Sequence, residues 1–410
     1  MKKNVIKTGL GLALAAFVLG ACGNSGETGG STDEAKKDVA LKVWVDPGSG
    51  DFYKKVIDEY KKDKGVDYKI EVVESDTGKA QEYVKKDPDA AADIFSMPHD
   101  QLGQLVEAGV VYENTKYADE VKKNNTELAV EGATYQDKLY GYPYGVESMM
   151  LYYDKSKLTA EDVATFEGIK AKEKIGLNFQ EGGADYFAVP FFVSNGSKLY
   201  GENGEDPKGT TFNDAKGVNV LKWIAAQGKD PQVVQANADL MSQLEEGKIA
   251  ALVSGPWGME SVQKILGDNM GIATYPTNDF GDGPVQMKAF LGVKLYSVNA
   301  NTKHPLEAME VANYLSGKTS QEKAFAEKKT TPSNLELQDS EAVKTDDLAS
   351  TVVQMATADH SVLMPKIPEM VGFWPQALSV ISDAYKGNIP EDQMEAKLTQ
   401  LVEDTSTVTE

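Results

Sequence analysis

Runs of strand character that end in a turn and give way to helical spacing recur along this chain, and they constrain its fold more than any other feature. Residues 41–45 alternate between apolar and polar side chains, residues 46–50 break that pattern, and apolar residues then recur at helical spacing as far as Tyr60. Residues 93–96 and 249–254 begin two further units of the same kind. This alternation favours an α/β fold with open parallel sheets.

The length and the cysteine content indicate how such sheets are held together. Only one cysteine occurs among the 410 residues, so the chain cannot form an internal disulfide and depends on hydrophobic cores. A chain longer than about 250–300 residues exceeds what one core usually serves. We therefore expect two lobes, each with its own core, although no repeat or linker in the sequence marks a boundary.

The amino-terminal segment has the features of a secretion signal followed by a lipid attachment site. Three lysines precede an apolar run over residues 9–20, which is shorter than the roughly 20 residues that a membrane-spanning helix needs. The run ends in small residues directly before Cys22. We expect cleavage after residue 21, two lipid chains on Cys22 as a firm anchor, and a flexible tether up to residue 40.

The charge of the chain disfavours several kinds of partner. Its formal net charge is −21, which disfavours nucleic acid. All 42 basic residues are lysine, so the sequence lacks the planar guanidinium that binds carboxylate or phosphate at two points. A neutral ligand fits this composition better than an anionic one.

Candidate binding residues follow the predicted strands, because ligands of open α/β sheets bind beyond the carboxyl ends of the strands. A pyranose stacks its C–H face on flat aromatic rings and donates its hydroxyl hydrogens to carboxylates. The candidates are three aromatic platforms, three carboxylate acceptors and three further residues at strand ends: Tyr186, Trp257 and Trp374; Asp100, Glu147 and Glu181; Asp46, Met97 and Gln101. This mixture favours an oligosaccharide as the ligand.

Five blocks of sequence, in matching order, carry a resemblance to a known family. They are Asp93-Ile94-Phe95 with His99-Asp100 and Gly103, Tyr142-Pro143 with Val146-Glu147, Asn178-Phe179-Gln180-Glu181 with Tyr186-Phe187, Gly255-Pro256-Trp257, and residues 364–368 with Phe373-Trp374. From about Leu41 to Lys397 the chain resembles the maltose- and maltodextrin-binding proteins of bacterial ABC importers, in the lipoprotein form of Gram-positive cells.

This resemblance implies a two-lobe fold of the periplasmic-binding-protein type II, with hinged lobes and a ligand cleft between them. One lobe would comprise residues 41–146 and 295–345, and the other residues 147–294 and 346–410, after a signal peptide at 1–21 and a tether at 22–40. The resemblance places in the cleft Asp100, Glu147, Glu181, Tyr186, Trp257 and Trp374. Where maltose binders of the family have a tryptophan and an arginine beside the aspartate, this chain has Met97 and Gln101, which leaves the preferred glucan length open.

The function implied by the resemblance is that of a monomer anchored by lipid to the outer face of the cell membrane. It would capture maltodextrin for the permease subunits of an ABC importer, without a cofactor or metal. Alternatives are a binding protein for another neutral oligosaccharide or a peptide, a structural surface lipoprotein, or a glycoside hydrolase that uses two of the carboxylates. We predict no catalytic residue, because His99, His304 and His360 are widely separated and no nucleophile motif occurs.

Overall fold

The computed structural model describes residues 38–406, so Cys22, the predicted signal peptide and most of the predicted tether lie outside the described residues. The strands are β1 Ala40–Val45, β2 Lys69–Glu74, β3 Ile94–Pro98, β4 Thr134–Tyr135, β5 Lys138–Leu139, β6 Tyr142–Ser148, β7 Met150–Asp154, β8 Ile175–Leu177, β9 Val233–Gln235, β10 Ala251–Ser254, β11 Met270–Ala273, β12 Thr277–Asp279, β13 Pro284–Gln286, β14 Ala289–Val298 and β15 Ser361–Leu363.

Helices separate most of these strands. They are α1 Gly50–Lys64, α2 Ala80–Lys86, α3 Leu102–Glu107, α4 Ala118–Asn124, α5 Glu127–Gly132, α6 Phe166–Lys170, α7 Ala184–Ser194, α8 Ala215–Gln227, α9 Leu240–Glu245, α10 Met259–Leu266, α11 Pro305–Ser316, α12 Lys318–Lys328, α13 Leu335–Gln338, α14 Glu341–Lys344, α15 Asp347–Met355, α16 Met370–Tyr385 and α17 Met394–Asp404. Short 3₁₀ turns occur at His99–Gln101 and Pro256–Gly258.

Two sheets organise the described residues. The first has the order β15-β14-β3-β1-β2, with β6 also paired to β14, and the second has the order β11-β7-β10-β8-β9. The parallel pairing predicted from the sequence is present between β1, β2 and β3, between β8, β9 and β10, and between β14 and β15. Neither sheet is wholly parallel, however, because β14 runs antiparallel to β3 and β6, and β7 runs antiparallel to β10 and β11.

The chain passes from the first sheet to the second within one residue. Strand β6 ends at Ser148 and β7 begins at Met150, so Met149 alone lies between strands of different sheets. Strand β14 later returns to the first sheet, where its residues from Ala289 onward pair with β15. The lobe boundaries at 146/147, 294/295 and 345/346 stay a prediction.

Helix α1 illustrates why the sequence folds locally as predicted. Its buried positions include Phe52, Val56, Ile57 and Tyr60, which share one face at helical spacing. An aspartate occupies its first turn and three lysines its last, where they complement the helix dipole. Gly65 ends the helix with φ 64°, a left-handed conformation that glycine adopts without strain.

Helices α7, α8 and α16 pack together, and α7 also contacts strands β14 and β15 of the first sheet. Helix α7 is buried on nearly all sides, and its rings join an aromatic core that includes Phe179, Phe191, Trp223 and Phe280. Such a core fixes the amino-terminal end of α7 rigidly, and that end carries Tyr186. Among residues 38–406, no helix combines the length and the apolar character needed to cross a membrane.

Candidate functional site

A cavity of about 370 Å³ lies at the carboxyl ends of the parallel strands β8 and β10, the position where ligands of α/β sheets commonly bind. Its wall includes Asn178 after β8, Ser254 and Trp257 at the end of β10, Tyr186 from α7, and Met149 between the two sheets. Two predicted platforms, Tyr186 and Trp257, therefore face one cavity. Apolar rings with a few polar groups are the usual composition of a small-molecule site.

Trp257 is exposed but held in place. Its side chain is 61% accessible to solvent, which is rare for the largest aromatic residue in a folded protein. The ring lies directly over Gly255, where a Cβ atom would come within 2.2 Å of the indole Cζ3. Tyr152 Oη donates a hydrogen bond of 3.0 Å to the carbonyl oxygen of Gly255, which stabilises the turn that carries Trp257. The indole therefore presents a flat, exposed face in a fixed orientation.

Tyr186 and Trp374 meet through a shared core ring. The ring of Tyr186 lies 5.5 Å from that of Phe290, and Trp374 meets the same ring at 5.7 Å and 78°. Phe290 is fully buried in β14, whereas Tyr186 and Trp374 are only partly buried. The structure thus brings these two predicted platforms together around β14.

Asp100 and Glu147 form an acidic neighbourhood beside Tyr186. The Oδ1 atom of Asp100 is buried without a hydrogen-bond partner in the described residues. Burial raises the pKa of Asp100 to about 6, and the negative charge of Glu147 adds to the rise. Burial, followed by the charges of Glu147 and Asp100, also raises the pKa of Tyr186. An unpaired carboxylate oxygen beside an aromatic ring can accept a hydroxyl hydrogen from a ligand.

His99 holds the turn that carries Asp100. Its Nδ1 accepts a hydrogen bond of 3.1 Å from the backbone N–H of Val293 in β14. Burial, together with the positive charge of Lys366, lowers the pKa of His99 to about 3, so the imidazole stays neutral and able to accept. His99 is therefore a buried residue that ties the turn at Asp100 to β14.

The structure buries Met97 and Gln101 away from this cavity. The side chain of Met97 is 1% exposed in β3 and lies opposite Leu295 of β14. Gln101 is 6% exposed, and its amide accepts from the backbone N–H of Gln81 at 2.8 Å and donates to the carbonyl of Gly78 at 2.7 Å. Both side chains pack within the first sheet and its helices and do not line the cavity described above, so their contact with a ligand stays a prediction.

Glu181 lies at the rim of the cavity. It is exposed, and its Oε2 accepts a hydrogen bond of 3.0 Å from Nδ2 of Asn237, which lines the cavity. Asn178 caps the same turn by accepting from the backbone N–H of Glu181 at 3.0 Å. Sequence reasoning missed Asn237 because it follows β9, a short strand that the sequence did not predict.

Asp46 lies close to Lys294, a residue that was not among the candidates from the sequence. Its carboxylate accepts hydrogen bonds from the hydroxyls of Thr77 and Tyr144, and its Oδ2 is 3.9 Å from Nζ of Lys294. The same Nζ lies 3.4 Å from Oε2 of Glu147. The only signal for Lys294 in the sequence is a charged residue in the middle of an apolar strand.

The described residues include no group of three or more histidine, cysteine, aspartate or glutamate side chains placed to hold a metal ion. The cavity wall combines two aromatic rings, Tyr186 and Trp257, with the polar side chains of Asn178, Asn237 and Ser254. Residues 55–351 match the bacterial extracellular solute-binding proteins, and this chain belongs to that family.

Individual relatives agree with that assignment. The chain is similar to the solved structure of a maltodextrin-binding protein from L. casei BL23 without ligand, with 37% identity, a TM-score of 0.87, and coverage of 90% of this chain and 100% of the other. It is 27% identical to a galactooligosaccharide-binding protein of Bacillus subtilis, covering 93% of this chain and 92% of the relative. A maltooligosaccharide ABC transporter solute-binding lipoprotein of Streptococcus pneumoniae is 26% identical, with 92% and 91% covered. The predicted family and the two-lobe fold are confirmed.

Proposed function

We propose that this protein captures a maltodextrin in the cavity between its lobes and delivers it to the permease subunits of an ABC importer. The main support is Trp257, an exposed indole fixed over Gly255 in the wall that it shares with Tyr186. Flat rings bind the C–H face of a glucose unit, and the nearby Asp100 and Glu147 would accept its hydroxyl hydrogens. The similar proteins named for maltodextrin and maltooligosaccharide add to this support.

A galactooligosaccharide is the second candidate ligand, because a relative of comparable similarity is named for it. Calorimetric titration with maltotriose, maltotetraose and galactotriose would distinguish the two. We expect the maltodextrins to bind more tightly, with dissociation constants that change less than about threefold between low and high salt, since no long-range ionic attraction is screened. A tenfold loss of affinity at high salt would instead indicate an anionic ligand, and tighter binding of galactotriose would favour the second candidate.

The protein is proposed to bind sugar without cleaving it, and to act as a monomer. A glycoside hydrolase needs two carboxylates placed on either side of the bond to be broken. Here Glu147 is engaged by Lys294, and Glu181 by Asn237 at the rim. Incubation with maltotetraose should therefore leave its length unchanged, and the appearance of maltose or glucose would contradict the proposal.

Attachment through Cys22 is the proposed means of retention at the outer face of the membrane. Replacement of Cys22 by alanine should prevent acylation, so the protein should appear in the medium or remain joined to its uncleaved signal. Fractionation of cells grown with labelled palmitate measures both outcomes. Cys22→Ser is a matched second variant, since its hydroxyl cannot form the thioether. Equal labelling of the wild-type and variant proteins would contradict the assignment.

A further inference from the structure

Lys294 in β14 and Glu147 in β6 are the partly exposed residues of two otherwise buried strands of the first sheet. Every other residue of β14 and of β6 is buried, and these two are only partly so. Each keeps about a third of its side chain accessible, 30% for Lys294 and 34% for Glu147. Both strands therefore direct one ionisable group each toward the same opening, 3.4 Å apart.

One glycine, Gly292, leaves the space in which Glu147 approaches Lys294. Gly292 pairs with Glu147 across the strands, and Gly145 pairs with Lys294. Side chains two residues apart lie on one face of a strand, so Glu147 reaches Lys294 diagonally across the bare position at Gly292. A Cβ atom at Gly292 would come within 2.9 Å of Glu147 Cγ, whereas one at Gly145 would instead come within 2.6 Å of Thr330 Cγ2. The backbone thus reserves space for this ion pair.

A second carboxylate approaches Lys294 from the end of β1. Asp46 Oδ2 lies 3.9 Å from Nζ and also accepts a hydrogen bond of 3.2 Å from Oη of Tyr144. Tyr144 is itself held by Ser96, whose hydroxyl lies 2.7 Å from Oη. The lysine consequently lies between two carboxylates that come from different elements and whose positions are fixed independently.

The other groups that face this cluster stay neutral over the pH range of interest. Burial, offset in part by a hydrogen bond with Tyr296, raises the pKa of Tyr53 to about 12. Burial likewise raises the pKa of Tyr144 and of Tyr296 well above the usual value, and the charge of Asp46 adds to both. Burial lowers the pKa of Lys294, but Glu147 and Asp46 outweigh that effect and leave it raised. Beyond Glu147 lies Asp100, which has no cation of its own among the described partners.

We propose that Lys294 is a positioning residue that holds Asp46 and Glu147 in place for sugar hydroxyls and sets the lowest pH at which the cleft binds sugar. The negative charges of Asp46, Glu147 and Asp100 repel each other, and the ammonium of Lys294, which lies between Asp46 and Glu147, offsets that repulsion. Without it, the charge of Glu147 beside Asp100 is no longer offset, so the pKa of Asp100 rises further, and a protonated carboxyl accepts hydroxyl hydrogens less well. The inference rests on the proposed function, since it concerns the same site.

The test is the pH dependence of maltotriose affinity, measured by calorimetric titration between pH 5 and 8.5. Lys294→Met should weaken binding about tenfold near pH 6.5 and move the acidic fall in affinity upward by about one pH unit. Lys294→Arg should restore the position of that fall. Lys170→Met is the matched control, because Lys170 also bridges two carboxylates, Glu167 at 2.7 Å and Asp230 at 2.8 Å, away from the cavity. The control should reproduce the wild-type profile.

If the pH dependence of maltotriose affinity were the same in Lys294→Met as in the wild type, the inference would be overturned, even if the affinity itself fell. Maltotriose binding by the wild type would still leave the proposed function intact. If the wild type bound no maltodextrin, melts without sugar would still decide the question. Lys294→Met should then lose more thermal stability at pH 8 than at pH 5, and adding Glu147→Gln should recover most of the loss. No recovery in the double variant would overturn the role of Lys294 independently of any ligand.

Discussion

Replacement of Trp257 by alanine should weaken maltodextrin binding by one to two orders of magnitude and leave the fold nearly as stable as before. Stacking of a ring on an aromatic side chain contributes about 1–3 kcal/mol, by analogy with nucleobases, which corresponds to about a 10- to 100-fold change in dissociation constant. Because the indole is 61% exposed, its removal takes little apolar surface out of the core. Titration and thermal unfolding of the same preparation measure the two effects.

Trp223 provides the matched control for that experiment. It is 9% exposed and packs edge-on against Phe166, Phe191 and Phe280 in the core beside the second sheet. Trp223→Phe should therefore lower the free energy of unfolding, since large-to-small changes in a core cost more than about 1 kcal/mol, and should leave affinity unchanged. If Trp257→Ala unfolded early and bound sugar normally, the indole would be a packing residue and the cavity would be misassigned.

Replacement of Asp100 by asparagine should stabilise the ligand-free protein at neutral pH and lower its affinity for sugar. Loss of a charged acceptor costs about 1.5–3 kcal/mol of binding, or about tenfold or more in affinity. The gain in stability follows from the raised pKa of Asp100, about 6 against an ordinary 3.8. The folded protein binds the proton more tightly than the unfolded chain, so stability falls as pH rises from about 4 to 6, and the full cost is present above 6.

Asparagine cannot ionise, so the unfolding free energy of Asp100→Asn at pH 7.5 should rise by about 1–3 kcal/mol and vary less between pH 4 and 6. Denaturant unfolding at several pH values measures this. Asp162→Asn is a control of opposite sign, because hydrogen bonds from Thr159 lower the pKa of that exposed carboxylate. It should lose stability slightly and keep its affinity. A variant at Asp100 that lost stability and kept its affinity would contradict a binding role.

The sequence predicted those parts of the site that depend on where a strand ends. Trp257 follows β10 after the two residues Gly255 and Pro256, and it lies exposed in the cavity wall. Gly255, in the turn before it, leaves room for the ring. Alternating strands and helices likewise predicted the α/β class, since apolar spacing is a local property of the chain.

Position near the end of a strand does not determine the direction of a side chain, as the burial of Met97 and Gln101 illustrates. Met97 lies three residues before Asp100 in the chain, and Gln101 directly follows it. Met97 belongs to β3, a central strand whose two faces are covered, and its side chain is therefore buried in the core. Gln101 turns back to bind the backbone at Gly78. These outcomes depend on packing by distant segments, which a local pattern does not contain.

Lys294 was missed for the opposite reason. It lies in the interior of β14, and its partners belong to β6 and to the end of β1, which only the folded sheet brings near. The antiparallel placement of β14 between β3 and β6 was also not predictable from apolar spacing, because periodicity is the same in both strand directions. Pairing partners are a tertiary property.

The single residue between β6 and β7 limits how the two sheets can move relative to each other. Met149 contributes only two soft backbone torsions, φ and ψ, and the hydrogen-bonded strands on either side resist deformation. Sliding one sheet past the other would stretch the chain at Met149. Rotating one sheet relative to the other about Met149 would not. The connection therefore acts as a pivot with few degrees of freedom, and Met149 lies both at that pivot and in the wall of the cavity.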